Sequence, residues 1–84
     1  MPYLFNQFVI RDDMVDSLRA YIDERADPGD FLLAVLEDSL GRAVGSADRD
    51  NMENLPAFAV WLYNEAPSIA WGSREKVQAW LSGK

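Results

Sequence analysis

Cysteine and histidine are both missing from this 84-residue chain, and the two absences remove most enzymatic chemistry at once. Without cysteine there is no disulfide, no thiolate nucleophile and no thiolate metal site, a composition that suits a reducing compartment. Without histidine there is no Ser-His or Cys-His pair and no imidazole ligand. No glycine-rich loop able to cradle a phosphate is present, and no apolar run approaches the roughly 20 residues that span a bilayer. Basic residues are scarce as well. Eight Lys and Arg stand against fourteen Asp and Glu, a net charge of −6. The opening Met1-Pro2-Tyr3-Leu4-Phe5-Asn6-Gln7 lacks a basic region and turns polar early, so no secretion signal is expected and the location is expected to be cytoplasmic.

What remains is ample for a fold. Apolar residues make up 49% of the chain and aromatics 12%, more than a disordered segment carries. The length allows one domain, 1–84, with a thin core that dimerisation would reinforce. The charge is uneven: residues 12–53 hold twelve carboxylates and four arginines, a net −8, while the remainder sums to +2. Such an acidic front argues against direct binding of nucleic acid or an anionic membrane, which needs clustered Lys and Arg. It is compatible with a basic partner, or simply with solubility.

The periodicity predicts an all-α fold, a compact bundle of four short helices, with an extended aromatic N-terminal arm over 1–10 in which Tyr3–Ile10 could instead form a single short strand. In the first helix, 12–25, Met14, Val15, Leu18, Tyr21 and Ile22 form a single apolar stripe, with Asp12 and Asp13 at the positive end of the dipole and Arg25 at the other. The second, 28–45, opens on Asp27 as N-cap and Pro28 at the first helical position, and Phe31 through Val44 cover more than one face. The third, 48–65, starts on Asp48 and runs Met52, Leu55, Phe58, Ala59 and Leu62 along one side, with Pro56 kinking or splitting it. The fourth, 74–81, is capped by Ser73 and turns Val77, Trp80 and Leu81 inward, ahead of a polar Ser82-Gly83-Lys84 tail.

Residues 57–63, Ala-Phe-Ala-Val-Trp-Leu-Tyr, are apolar without interruption. A helix apolar on every side must be covered by its own domain or by another chain, and a chain this short has little to cover it with. The expectation is therefore a binding protein. Trp61 and Tyr63 point to different sides of one helix, so a single neighbour cannot bury both. With Tyr21 they are the expected aromatic anchors, and Asp16, Asp23 and Asp27 the expected electrostatic contacts for a basic partner. The alternative is a homo-oligomer assembling through the third helix.

Constellations for catalysis are weak. Ser73-Arg74-Glu75-Lys76 formally matches Ser-x-x-Lys, but a capping serine explains it better and the partner motifs are missing. The stretch Asp48-Arg49-Asp50-Asn51-Met52-Glu53 has Met52 where a third calcium ligand belongs and Glu53 where glycine belongs. No catalytic, cofactor-binding or metal residue is assigned, and an enzyme is not expected.

From Pro28 onward, further residues form a recognisable pattern: Pro28-Gly29-Asp30-Phe31-Leu32 with Ala34-Val35-Leu36-Glu37, Ala47-Asp48, and Leu55-Pro56-Ala57. Leu62-Tyr63-Asn64-Glu65-Ala66-Pro67, Trp71-Gly72-Ser73 and Lys76-Val77 with Trp80 complete it. Over about residues 28–80 the chain resembles a group of small bacteriophage- and prophage-encoded proteins without an assigned activity. It departs from that group at Asp38-Ser39, where Asn-Asp is expected. The resemblance implies a phage accessory protein working in the host cytoplasm on a host protein with a basic surface, for instance an anti-CRISPR-like inhibitor of defence. This step is analogy, since origin does not decide function.

Overall fold

In the computed structural model, which describes residues 2–83, the first helix lies where its stripe demands: α1 spans Asp12–Glu24 and buries Val15, Leu18 and Tyr21. Arg25 ends it in the left-handed conformation, at φ 57°. The guanidinium of Arg25 lies 3.9 Å from the Trp80 ring centroid and donates to the Trp80 carbonyl at 3.0 Å, while Trp80 Nε1 donates to the Tyr21 carbonyl at 2.8 Å. The end of α1 is thereby tied to the last helix, α6 (Arg74–Ser82), which buries Val77 and is capped by Ser73 Oγ accepting from the Lys76 N–H. Met1 of the expected arm and Lys84 of the expected tail lie outside the described residues.

The all-α expectation is corrected at the N-terminus. The molecule is mostly helical, but the arm is a β-hairpin in which β1 (Tyr3–Phe5) pairs antiparallel with β2 (Phe8–Ile10) through a two-residue loop. Asn6 takes φ 53° in that loop, a conformation Asn tolerates better than most residues. Three-residue strands are too short to show alternation, and Asn-Gln is a weaker turn signal than Asn-Gly. The hairpin docks through Ile10, which is fully buried, and through the Val9 N–H, which donates to Asn54 Oδ1 at 2.7 Å.

Four expected helices become six α-helices among the described residues. The segment 28–45 breaks into α2 (Asp30–Leu36) and α3 (Leu40–Ser46), and 48–65 into α4 (Arg49–Glu53) and α5 (Leu55–Glu65). Helix α2 starts later than expected, because Asp27 Oδ1 accepts from the Gly29 N–H in a local turn and Gly29 takes the N-cap place. It ends in two turn-closing bonds: Ser39 N–H to the Ala34 carbonyl at 2.9 Å and Asp38 N–H to the Val35 carbonyl at 3.1 Å. Those bonds place Asp38 in the left-handed region, at φ 60°, and turn the chain away. Leu40 and Val44, expected in the core, are therefore exposed.

Pro56 splits the third helix, with Asn54 as the joint. Asn54 is buried; its Nδ2 donates to the Asp50 carbonyl at 2.7 Å while its Oδ1 holds the hairpin. Asp48 caps α4 as expected, accepting from the Asn51 N–H at 2.8 Å. The break also rotates the apolar stripe. Ala57, Phe58, Trp61 and Leu62 face inward on α5, whereas Met52 and Ala59 are exposed. The expectation that one copy cannot shelter the apolar run is corrected for these four residues, since the hairpin and α2 both pack on α5. Replacing Asn54 with alanine should leave the Val9 N–H without its partner and cost about 2 kcal/mol; a urea titration followed by circular dichroism measures it.

Candidate binding groove

A groove of about 390 Å³ lies between the α2–α3 turn and α5. Helix α2 contributes Ala34 and Val35, the turn contributes Asp38 and Ser39, and α3 opens with Leu40 on the rim. Helix α5 supplies the opposite wall through Leu55, Ala59, Leu62 and Tyr63, and Trp71 closes one side. Trp71 reaches this place on a loop pinned by the Gly72 N–H, which donates to the Leu36 carbonyl at 2.7 Å. The rings of Tyr63 and Trp71 meet edge to face with centroids 5.1 Å apart. Leu40 is 70% exposed and Tyr63 79%, and both border the same groove.

Asp38 is the one ionisable acid or base on the groove wall other than the Tyr63 phenol. It is exposed and makes no ion pair among the described residues. The nearest arginine in sequence, Arg42, is already engaged. It pairs with Glu37, whose side chain is only 4% exposed, whereas Arg42 itself is 55% exposed.

Of the six residues expected at the partner interface, only Tyr63 belongs to the groove. Tyr21 and Trp61 are corrected as surface anchors: they are 0% and 1% exposed. Each stripe simply faces inward. Tyr21 Oη donates to the Ala70 carbonyl at 2.6 Å, and Arg19 lies over the Trp61 ring at 5.9 Å while pairing with Glu65 at 3.7 Å. Asp16 and Asp23 are exposed on α1, seven residues apart and on one side, and Asp27 is exposed in the turn that precedes α2. None of the three lines the groove. Leu40 and Asp38 escape the sequence reading because their exposure follows from the break at Asp38, for which a Gly or Asn is the usual signal, while the half-buried Val35 and Trp71 join the groove only through packing between distant segments.

The acids near the N-terminus of α4 serve structure. Arg11 bridges Asp13 at 2.9 Å, Asp50 at 3.3 Å and Asp48 at 3.4 Å. The Asp48 carboxyl is held below its ordinary range, first by the Asn51 N–H and then by Arg11. No group of three or more His, Cys, Asp or Glu among the described residues is placed to hold a metal ion, and no helix there is long and apolar enough to cross a membrane.

Burial pushes the Tyr21 phenol up to about 12, with the charge of Glu37 adding to the effect and Arg25 opposing it. The folded state thus keeps its proton where the unfolded chain loses it. Tyr21 supports the fold fully below pH 10, and that support drains away as the pH rises toward 12. Tyr21→Phe should cost about 1 kcal/mol at neutral pH by stranding the Ala70 carbonyl. Its urea midpoint should then fall less steeply than the wild type's in alkali.

Comparison with family models, with curated proteins and with solved structures finds no match for this chain. The groove has to be interpreted from its own chemistry.

Proposed function

We propose that this chain is a non-catalytic accessory protein that binds a host protein with a basic surface, and that the groove between α2, α3 and α5 is where the partner docks. The observation that carries this reading is the pair of bulky apolar side chains, Leu40 and Tyr63, held in the open on two sides of one concavity. Ordering such side chains in water gains the chain nothing, and covering them gives a partner the desolvated centre on which interfaces depend. The net charge of −6, with Asp16 and Asp23 displayed on α1, adds attraction at a distance for a basic partner. The resemblance over residues 28–80 supplies the phage setting. An anti-CRISPR-like inhibitor that covers a nucleic-acid-binding surface is the specific form of the proposal.

Leu40→Ser together with Tyr63→Ala tests it. Both side chains are largely in water, so the thermal midpoint should move little. A host protein captured by the wild type and repurified should bind the double variant at least about tenfold more weakly, since interface anchors commonly contribute above 1 kcal/mol each. Equal affinity for both forms rules the groove out as the docking site. The homo-oligomer alternative draws on the same exposed Tyr63, and sedimentation at high concentration distinguishes it: a strict monomer removes it.

A further inference from the structure

The groove also specifies the chemistry of what it binds. This step rests on the binding function proposed above and deepens it. Its walls are apolar except for the Tyr63 phenol and the α2–α3 turn, where Ser39 offers a hydroxyl and Asp38 a full negative charge. Asp38 is held at φ 60°, where an aspartate is less comfortable than a glycine. The charge also has no internal use. Asp38 has no salt bridge among the described residues, and Arg42 is committed to the buried Glu37. An apolar segment covering the groove would strip water from that carboxylate and return nothing to it, unless the segment brings a cation.

We infer that the groove takes a segment of a partner protein that seats a bulky apolar side chain among Leu40, Tyr63 and Trp71 and sets a lysine or arginine against Asp38. An acidic segment is excluded by repulsion from Asp38 and from the overall charge of the chain. A neutral apolar segment leaves the carboxylate desolvated and unpaired. A small molecule is poorly served, because such sites enclose most of their ligand, whereas here two of the lining side chains are at least 70% exposed.

The probe is a set of synthetic twelve-residue peptides, each with one central Leu, Phe or Trp and a Lys, Gln or Glu at each flanking position in turn. Affinity for the full chain is read by fluorescence polarisation, and the contact surface by amide shift changes in the isotope-labelled protein. Peptides with Lys at one defined spacing should bind most tightly and shift Leu40, Tyr63 and Trp71. Exchange of that Lys for Gln should weaken binding roughly fivefold, the effect of a partly exposed ion pair, and exchange for Glu more. In Asp38→Asn the Lys and Gln peptides should bind alike. Asn suits the left-handed position at least as well as Asp, so the fold is preserved while the charge is removed.

The outcomes distinguish failure of the cation pairing from failure of the docking surface. If the Lys preference survives in Asp38→Asn, or Gln and Lys peptides bind the wild type equally at the groove, the cation pairing is wrong and the docking surface stands. If no peptide shifts a groove residue while the captured host protein still loses affinity in the Leu40→Ser, Tyr63→Ala variant, the segment chemistry alone is wrong. Should that variant also bind normally, both fail together.

Discussion

Trp61→Ala is expected to cost about 3–5 kcal/mol, the range for removing a buried aromatic side chain. Trp61 is 1% exposed and sits among the largest fully buried side chains with Tyr21 and Phe58. A domain of this length holds only roughly 4–13 kcal/mol in total, so the variant should lose a large part of its stability or unfold at ambient temperature. The value should fall toward the lower end. Trp61 Nε1 is buried with no hydrogen-bond partner among the described residues, and deleting it relieves a desolvated donor as the cavity opens. Far-ultraviolet circular dichroism against urea gives the figure. A loss below about 1 kcal/mol would mean that α5 does not carry the core as described. Trp61→Phe, which keeps most of the volume and drops the orphan N–H, should be much milder.

Arg42→Met should destabilise the fold by about 2–3 kcal/mol, more than a surface ion pair is worth. The asymmetry of the Glu37–Arg42 pair is the reason: the carboxylate is inside and the guanidinium half outside. Removing the arginine leaves a buried charge without compensation, the costly way to break such a pair, and the half-exposed side of the bridge brings the penalty below the fully buried range. Glu37→Gln, which removes the charge and keeps the shape, should cost less than Arg42→Met. The reverse order in paired thermal melts would show that Glu37 is not the buried partner. The same pair bears on binding, because an arginine held by Glu37 is not available to neutralise Asp38 one residue away.

Several elements could be read directly from the residues. The stripe Val15-Leu18-Tyr21 predicted α1 to within a residue at its end, and Asp48 and Ser73 were visible as caps because their side chains accept from the N–H three residues on. Pro56 announced a break, since it lacks the N–H that would continue the ladder. The opposition of Trp61 and Tyr63 on one helix also held: one is inside and the other out. In each case the signal lies within one or two helical turns, where geometry alone decides which side chains share a face.

The hairpin and the groove were different. β1 and β2 hold together by pairing with each other and by the Val9 bond to Asn54, forty-five residues away, and neither contact leaves a local periodic trace. The break at Asp38 is equally silent, because aspartate is not the residue that a left-handed turn selects. Its consequence is the exposure of Leu40, which the apolar pattern assigned to the core. Tyr21 likewise reads as an anchor until the Ala70 carbonyl, brought in from the far end of the chain, takes its hydroxyl. Composition and periodicity were enough to specify an acidic, mostly helical chain with caps at Asp48 and Ser73 and a break at Pro56, because those depend on neighbours in sequence. Which apolar side chains ended up under cover, and which stayed open around a lone carboxylate, depended on contacts between distant segments and emerged only in the packed fold.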